Sequence, residues 1–264
     1  MPQATGQSPF HLSWLERSRS PIGKKLLTGI TGLPLAGFVG VHMLGNLLLL
    51  VSPAAFNDYG NSLETTFKPL VWGVELGLGV AIALHAALGI QIYIAKRKAR
   101  PIAYASYKSV NQVRGQAEQT GNQSGNQTGN QTDDRAIAPH SFQTLSSRTM
   151  IGTGITLAAF IVWHLVTFKL GSRYEIVTDG HAQRDLARLV IETFQQPFYT
   201  FSYLGLMALL GLHLRHGLWS ALQSLGALGK GMQAVAFGAS LLGAGAIAAG
   251  FGVLPIAIFC GWIR

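Results

Sequence analysis

Four histidines, His42, His85, His164 and His213, each interrupt a separate stretch of otherwise apolar sequence. An imidazole is costly in hydrocarbon unless something engages it, so an ionisable residue at membrane depth is a functional candidate by default. Taken singly, each could hydrogen-bond a neighbouring carbonyl. Two pairs at two depths, however, are the donor set that two stacked b-type haems, each with two axial histidines, would need. The chemistry of such a set is one-electron transfer across a membrane. No cysteine or carboxylate cluster accompanies the histidines, which argues against a zinc or di-iron centre. The chain has one cysteine, Cys260, and no C-x-x-C-H sequence, so neither a disulfide framework nor covalently attached haem is expected.

The elements that must position these residues follow from composition. Charged residues are 12% of the 264, nearly half are hydrophobic, and the profile is that of a polytopic membrane protein. Five apolar runs, at 22–51, 70–95, 150–170, 198–222 and 232–263, meet the requirement of about 20 residues for a hydrocarbon core. The expected fold is all-α, a single membrane domain over 1–264 with five transmembrane helices in a bundle. The first twenty residues are polar and the run after them is too long for a signal peptide, so none is expected.

A net charge of +9 invites a nucleic-acid reading, but the placement of the charges argues against it. Arg17, Arg19, Lys24 and Lys25 precede span one, and Lys96, Arg97, Lys98, Arg100, Lys108 and Arg114 follow span two. Arg215 and Lys230 flank the link between spans four and five, while the alternate links are neutral, acidic or balanced. This is the positive-inside pattern, which predicts an N-in, C-out topology.

Depth then follows from helix rise. His42 lies 17 residues beyond Lys25 and His164 lies 16 beyond Arg148, so both sit roughly 24–25 Å above the inner face. His85 and His213 each lie 15 residues past the outer starts of their spans, at Leu70 and Phe198, or roughly 22 Å down. The expected pairs are His42 with His164 and His85 with His213, at levels roughly 15 Å apart. His216 lies one turn beyond His213, closer to the interface, and is expected near the haem propionates. His11, His140 and His181 fall in polar segments and read as surface residues.

Propionates are anionic and need donors. Arg215, Lys24, Lys25 and Arg148 are candidates at the inner edge, and Lys169 and Arg173 at the outer, although most basic residues at span ends serve only topology and snorkelling. Glu75 is an acid within span two, and Asp58 and Glu64 lie in the outer link. These three are candidates for proton handling at a quinone site, or are interfacial carboxylates.

Between spans two and three, 115–134 contains TGNQ-SGNQ-TGNQ-T, too polar to fold alone and expected to be a disordered cytoplasmic linker. Between spans three and four, Leu186, Leu189, Val190 and Phe194 recur at helical spacing, which predicts a short amphipathic helix lying on the outer surface. Gly45 beside His42 and Gly89 beside His85 read equally as packing contacts or as clearance for a flat macrocycle.

These residues also carry a resemblance. SPIGKKLLTGITGLPLAGFVGVHMLGNLLLL with FNDYGNSLE, then SSRTMIGTGITLAAFIVWHLVTFKLG and GLHLRHGLWSALQSLG, resemble the single-subunit cytochrome b of succinate dehydrogenase and quinol:fumarate reductase. The resemblance extends over essentially all five spans. It implies two haem b groups, His85 and His213 holding the one nearer the soluble subunits and His42 and His164 the outer one. It also implies a flavoprotein and an iron–sulfur subunit on the cytoplasmic face, membrane quinone as electron partner, and a bacterial cytoplasmic membrane. Some members carry a glutamate two residues before the fourth-span ligand; here that residue is Gly211, so proton transfer through that side chain is not expected. The rivals are a di-haem cytochrome of a hydrogenase or formate dehydrogenase, and a haem-free transporter with proton-relay histidines.

Overall fold

The computed structural model describes residues 20–99, 140–178, 180–226 and 229–264, without the side chains of 140–148 and 230. The segment at 115–134, Arg17, Arg19, Arg100, Lys108, Arg114, His11 and the side chains of His140, Arg148 and Lys230 therefore lie outside the description.

Helix α1 (Pro21–Val51) starts at Ser20, whose side chain accepts from the Gly23 amide at 3.0 Å, with proline at the first helical position. Ser52 repeats the device one residue past the end of α1: it accepts from the Ala55 amide, and Pro53 opens α2 (Pro53–Glu64). A hydroxyl cap followed by proline satisfies an orphan amide and presets φ, so the chain starts a new helix here. Then come α3 (Lys68–Lys98) and α4 (His140–His164), which runs into a π turn (Leu165–Lys169). A hairpin of β1 (Glu175–Thr178) and β2 (His181–Arg184) precedes α5 (Leu186–Phe194), α6 (Pro197–Ser224) and α7 (Gln233–Phe259). Five of these elements, α1, α3, α4 with its π turn, α6 and α7, are long and apolar enough to cross a membrane. The chain is a multi-pass membrane protein.

Helices α1, α3, α4 and α6 form a square in that order. Helix α1 packs on α3 and α6, α4 packs closely on α6 and lightly on α3, and α7 lies outside against α6 and α1. Helices α1 and α4, and likewise α3 and α6, are not close neighbours, so they occupy opposite corners. Nothing in α3 is buried, and its Leu70, Trp72, Leu76, Val80 and Leu84 face outward. An apolar outer face is what lipid requires of a spanning helix.

The densest packing is at one end. Leu49, Phe56, Val190, Ile191, Phe194, Tyr203, Leu254 and Ile258 form a buried cluster under α2, α5 and the hairpin. This is the capped end. The opposite, basic end carries Lys24, Lys25, Lys96, Arg97, Lys98 and Arg215.

Three features differ from the sequence expectation. The link after span one contains α2, and the link after span three contains a two-stranded sheet with Glu175 opposite Arg184 and Thr178 opposite His181. The helix over Leu186–Phe194 is present, but its apolar face is buried in protein rather than laid on a surface. The anchor is polar: buried Asn57 donates to Asp185 at 2.9 Å and accepts from the Ala187 amide at 2.8 Å, tying α2 to the start of α5. Finally, Cys260 lies just past the end of α7, and is exposed.

Asn57→Ala strips partners from Asp185 and from the buried Ala187 amide, a loss of about 1–3 kcal/mol. The expected outcome is a lower thermal midpoint in detergent with faster proteolysis in the cap; an unchanged midpoint would mean the anchor is dispensable. On the cap surface, Glu192 accepts from the Tyr174 hydroxyl at 2.6 Å and from Arg188 at 2.8 Å, and the two hold its carboxyl below the usual glutamate value. This stabilisation is present above the ordinary value and is lost as pH falls through the lowered one. The thermal midpoints of wild type and Glu192→Gln should therefore differ at neutral pH and converge in acid.

Candidate functional site

The square of helices brings the four rings together in two pairs. His42 and His164 meet with ring centroids 5.8 Å apart and planes inclined by 86°; His85 and His213 meet at 6.3 Å and 68°. Each pair spans a diagonal: α1 to α4 for the first, α3 to α6 for the second. Backbones at opposite corners do not touch, so the imidazoles are what meets in the centre.

The levels are measured off three helices. His85 reaches Thr31 on α1, 11 residues before His42, and His213 reaches Thr153 on α4, 11 residues before His164. His164 reaches Tyr203 on α6, 10 residues before His213. At 1.5 Å per residue all three give a separation of about 15–17 Å along the bundle. The His85–His213 level lies towards the basic end and the His42–His164 level beneath the cap.

Each ring is oriented by a second residue. His85 Nδ1 is 3.3 Å from Thr31 Oγ1 and 3.3 Å from the Thr28 carbonyl oxygen; His213 Nδ1 is 3.2 Å from Thr153 Oγ1. His164 Nδ1 is 3.4 Å from the Tyr203 hydroxyl. In these three, Nδ1 is engaged and Nε2 is left for a ligand, the usual division in a metal-bound histidine whose other nitrogen is held by an outer partner. His42 differs. Its Nε2 accepts from Asn46 Nδ2 at 3.4 Å, and ligation through that atom has to displace the contact.

The surroundings of the two levels contrast. Beneath the cap, Phe38 stacks on His42 at 5.5 Å, Phe160 and Phe168 lie against His164, and Phe251 lies against His42. Tyr203 stands edge-on to Phe160, Trp163, Phe168 and Phe194, in a well-packed aromatic shell. At the lower level the neighbours are threonines and glycines. A Cβ built on Gly32 would lie 3.0 Å from Cε1 of His85, and one on Gly154 would lie 3.5 Å from Cε1 of His213.

The donor set fits a haem iron. A ligating imidazole nitrogen lies about 2 Å from its metal, with the ring centre roughly 1 Å beyond, so ligands on opposite sides have centroids about 6 Å apart. Both pairs are near that value. Among the described residues no group of three or more His, Cys, Asp or Glu side chains converges, so the donor chemistry is two imidazoles per level. Three rings fit as they stand, and His42 fits once its ring turns off Asn46.

The other sequence candidates are scattered. Glu75 forms an ion pair with Lys169, Glu64 lies 3.7 Å from Arg184, and the exposed Asp58 accepts from Gln183. The three carboxylates share the capped end without forming one site. The Arg215 guanidinium lies over the Phe237 ring on α7, at 5.3 Å, whereas His216 sits within electrostatic reach of Lys96 and Arg215. Lys24 is half-buried, and Lys25 and Arg173 are exposed. Gly45 is a packing contact, since a Cβ there would meet the Tyr59 ring at 2.8 Å, while Gly89 faces open space. Gly211 packs closely against α7, where a Cβ would lie 3.1 Å from that of Ala248.

Sequence reasoning missed Thr31, Thr153, Asn46 and Tyr203. A signal existed for the threonines: TG-x9-H occurs at Thr31–Gly32–His42 and again at Thr153–Gly154–His164, with leucine, alanine and phenylalanine matching in between. No family model, curated protein or solved structure matches the chain.

Replacing either glycine by alanine gains the same helix propensity, about 1 kcal/mol, so the difference between the two variants reports the ring contact. Gly32→Ala should lower the thermal midpoint relative to Gly154→Ala; equal midpoints, or the reverse order, would contradict the tighter ring contact at Gly32.

Proposed function

We propose that this protein is a di-haem cytochrome b that carries electrons across a membrane. The observation that supports it best is the two imidazole pairs, one across each diagonal of the helix square, about 16 Å apart along the bundle. A bound haem b supplies one-electron chemistry between ferric and ferrous iron. The chain's own contribution is to present the ligands, fix their ring orientations through Thr31, Thr153 and Tyr203, and exclude water with the aromatic shell.

The more specific reading rests on the resemblance of the α1, α4 and α6 sequences to the cytochrome b of succinate dehydrogenase and quinol:fumarate reductase. On that reading the chain is the membrane anchor that passes electrons between an iron–sulfur subunit and quinone, and the dicarboxylate chemistry belongs to partner subunits. The charge asymmetry supports an orientation with the basic end, and so the soluble partners, in the cytoplasm of a bacterium. Quinone would meet the bundle from the lipid, with Glu75, Asp58 and Glu64 as candidate proton-handling groups near the capped end. A haem-free transporter is the rival from another class, because histidines in a bundle core can also relay protons.

The purified chain should show a b-type reduced-minus-oxidised spectrum with about two haems per chain, one for each histidine pair. His42→Ala or His164→Ala should remove one haem and leave the one held by His85 and His213. Folded wild-type protein without haem would end the cytochrome reading, and retention of both haems in either variant would end the pairing.

A further inference from the structure

Proton inventory at the lower level goes further than ring proximity. A threonine hydroxyl has one hydrogen to give. Thr31 Oγ1 lies 2.9 Å from the Leu27 carbonyl oxygen and 3.1 Å from that of Thr28, and its hydrogen goes to these acceptors. Thr153 Oγ1 donates in the same way to the Met150 carbonyl at 3.0 Å. Towards the histidines both hydroxyls can then only accept, so the hydrogen in each contact belongs to the imidazole. For His85 the Thr28 carbonyl, an obligate acceptor 3.3 Å from Nδ1, requires the same assignment.

We infer that Thr31 and Thr153 are a matched pair of positioning residues, each holding the histidine of a neighbouring helix in its Nδ1–H tautomer so that Nε2 is the metal-binding atom. The adjacent glycine completes the device, because Gly32 and Gly154 leave room for the Cε1 edge of the ring that the threonine engages. The device occurs twice, on α1 and on α4, in the same TG-x9-H frame. Each copy thus serves both levels: its histidine lies under the cap, while its threonine, 11 residues earlier, orients the histidine of the other pair. The inference deepens the cytochrome reading and rests on it for the role of Nε2, but the tautomer assignment stands on the hydrogen bonds alone.

The two copies are not equal in strength. His85 keeps the Thr28 carbonyl when Thr31 loses its hydroxyl, whereas among the described residues His213 has Thr153 as its one acceptor. Threonine to valine keeps shape and removes the hydroxyl. An Nδ1–H donated to oxygen makes Nε2 a stronger donor and favours ferric iron, so losing the acceptor should raise the reduction potential of that haem.

Potentiometry on the haem-loaded full-length chain should find one of two midpoints raised in Thr153→Val by roughly a tenfold change in equilibrium constant, or about 59 mV for one electron. Thr31→Val should move the same midpoint by less, and Thr153→Ser should restore it. A shift in both midpoints, or in neither, would overturn the inference. If the wild-type chain binds no haem, the cytochrome reading fails separately, and nitrogen-15 NMR of the histidine side chains decides the tautomer. Protonated Nδ1 on His85 and His213, with His213 moving towards the Nε2–H form in Thr153→Val, would sustain the assignment. An Nε2–H tautomer in wild type would overturn it.

Discussion

An imidazole has two nitrogens to satisfy, and in hydrocarbon no water is available to satisfy them. Much of the bundle's interior can be understood as an answer to that constraint. One nitrogen of each ring is engaged by a residue from the bundle: Thr31 and the Thr28 carbonyl for His85, Thr153 for His213, Tyr203 for His164 and Asn46 for His42. These partners come from a neighbouring helix in three cases, so the rings also register helices against each other. In three of the four rings the engaged atom is Nδ1, which on the cytochrome reading leaves Nε2 to the iron.

Packing is distributed to suit this arrangement. A four-helix square filled by its own side chains would bring opposite corners together through apolar contacts. Here the tight cluster sits under the cap, no residue of α3 is fully buried, and opposite corners meet through imidazoles. The π turn after His164 links the two regions. It places Phe168 against His164, and the Phe168 carbonyl accepts from Arg184 of the hairpin at 2.7 Å. The last carbonyls of a helix have no partner within it, and that of Phe168, one residue from the end, finds its donor outside. The hairpin supplies it, and in doing so ties the cap to a residue of the candidate site.

Hydropathy made the five spans legible to within a few residues, because about 20 apolar residues in a row have few other uses. Proximity within the histidine pairs was legible too, since helix rise converts sequence position into depth once the direction of each helix is assumed. Their role as ligands was not, because a satisfied imidazole and a ligating one look alike in sequence. The cap was only partly legible. Ser52–Pro53 is a helix-start signal hidden by its place immediately after a span, and the Asp-Gly pair at 179–180 is a hairpin signal in a stretch too short and polar to stand out. Gly180 takes φ 77°, which that turn position demands. The amphipathic period of 186–194 revealed the helix but not its partner, because a buried apolar face and a membrane-seated one share the same pattern. Asn57, whose hydrogen bonds decide between them, carries no signal of its own.

The repeated TG-x9-H frame makes the two halves of the bundle similar, yet the two levels it builds are chemically unlike. The level beneath the cap is lined by Phe38, Phe160, Phe168, Phe251 and Tyr203. The other level rests on hydroxyls and a carbonyl and lies nearer to Lys24, Lys25, Lys96, Arg97 and Lys98, with His216 one turn from His213. Cationic charge nearby favours an added electron by direct attraction, whereas an apolar shell acts through the dielectric, by disfavouring the more highly charged ferric form. On the cytochrome reading, the same pair of imidazole ligands would therefore meet two different electrostatic environments at the two levels, and two different potentials. The inequality would arise from surroundings rather than from ligand type, because the sequence repeats the ligand frame while the cap and the charges are each confined to one end.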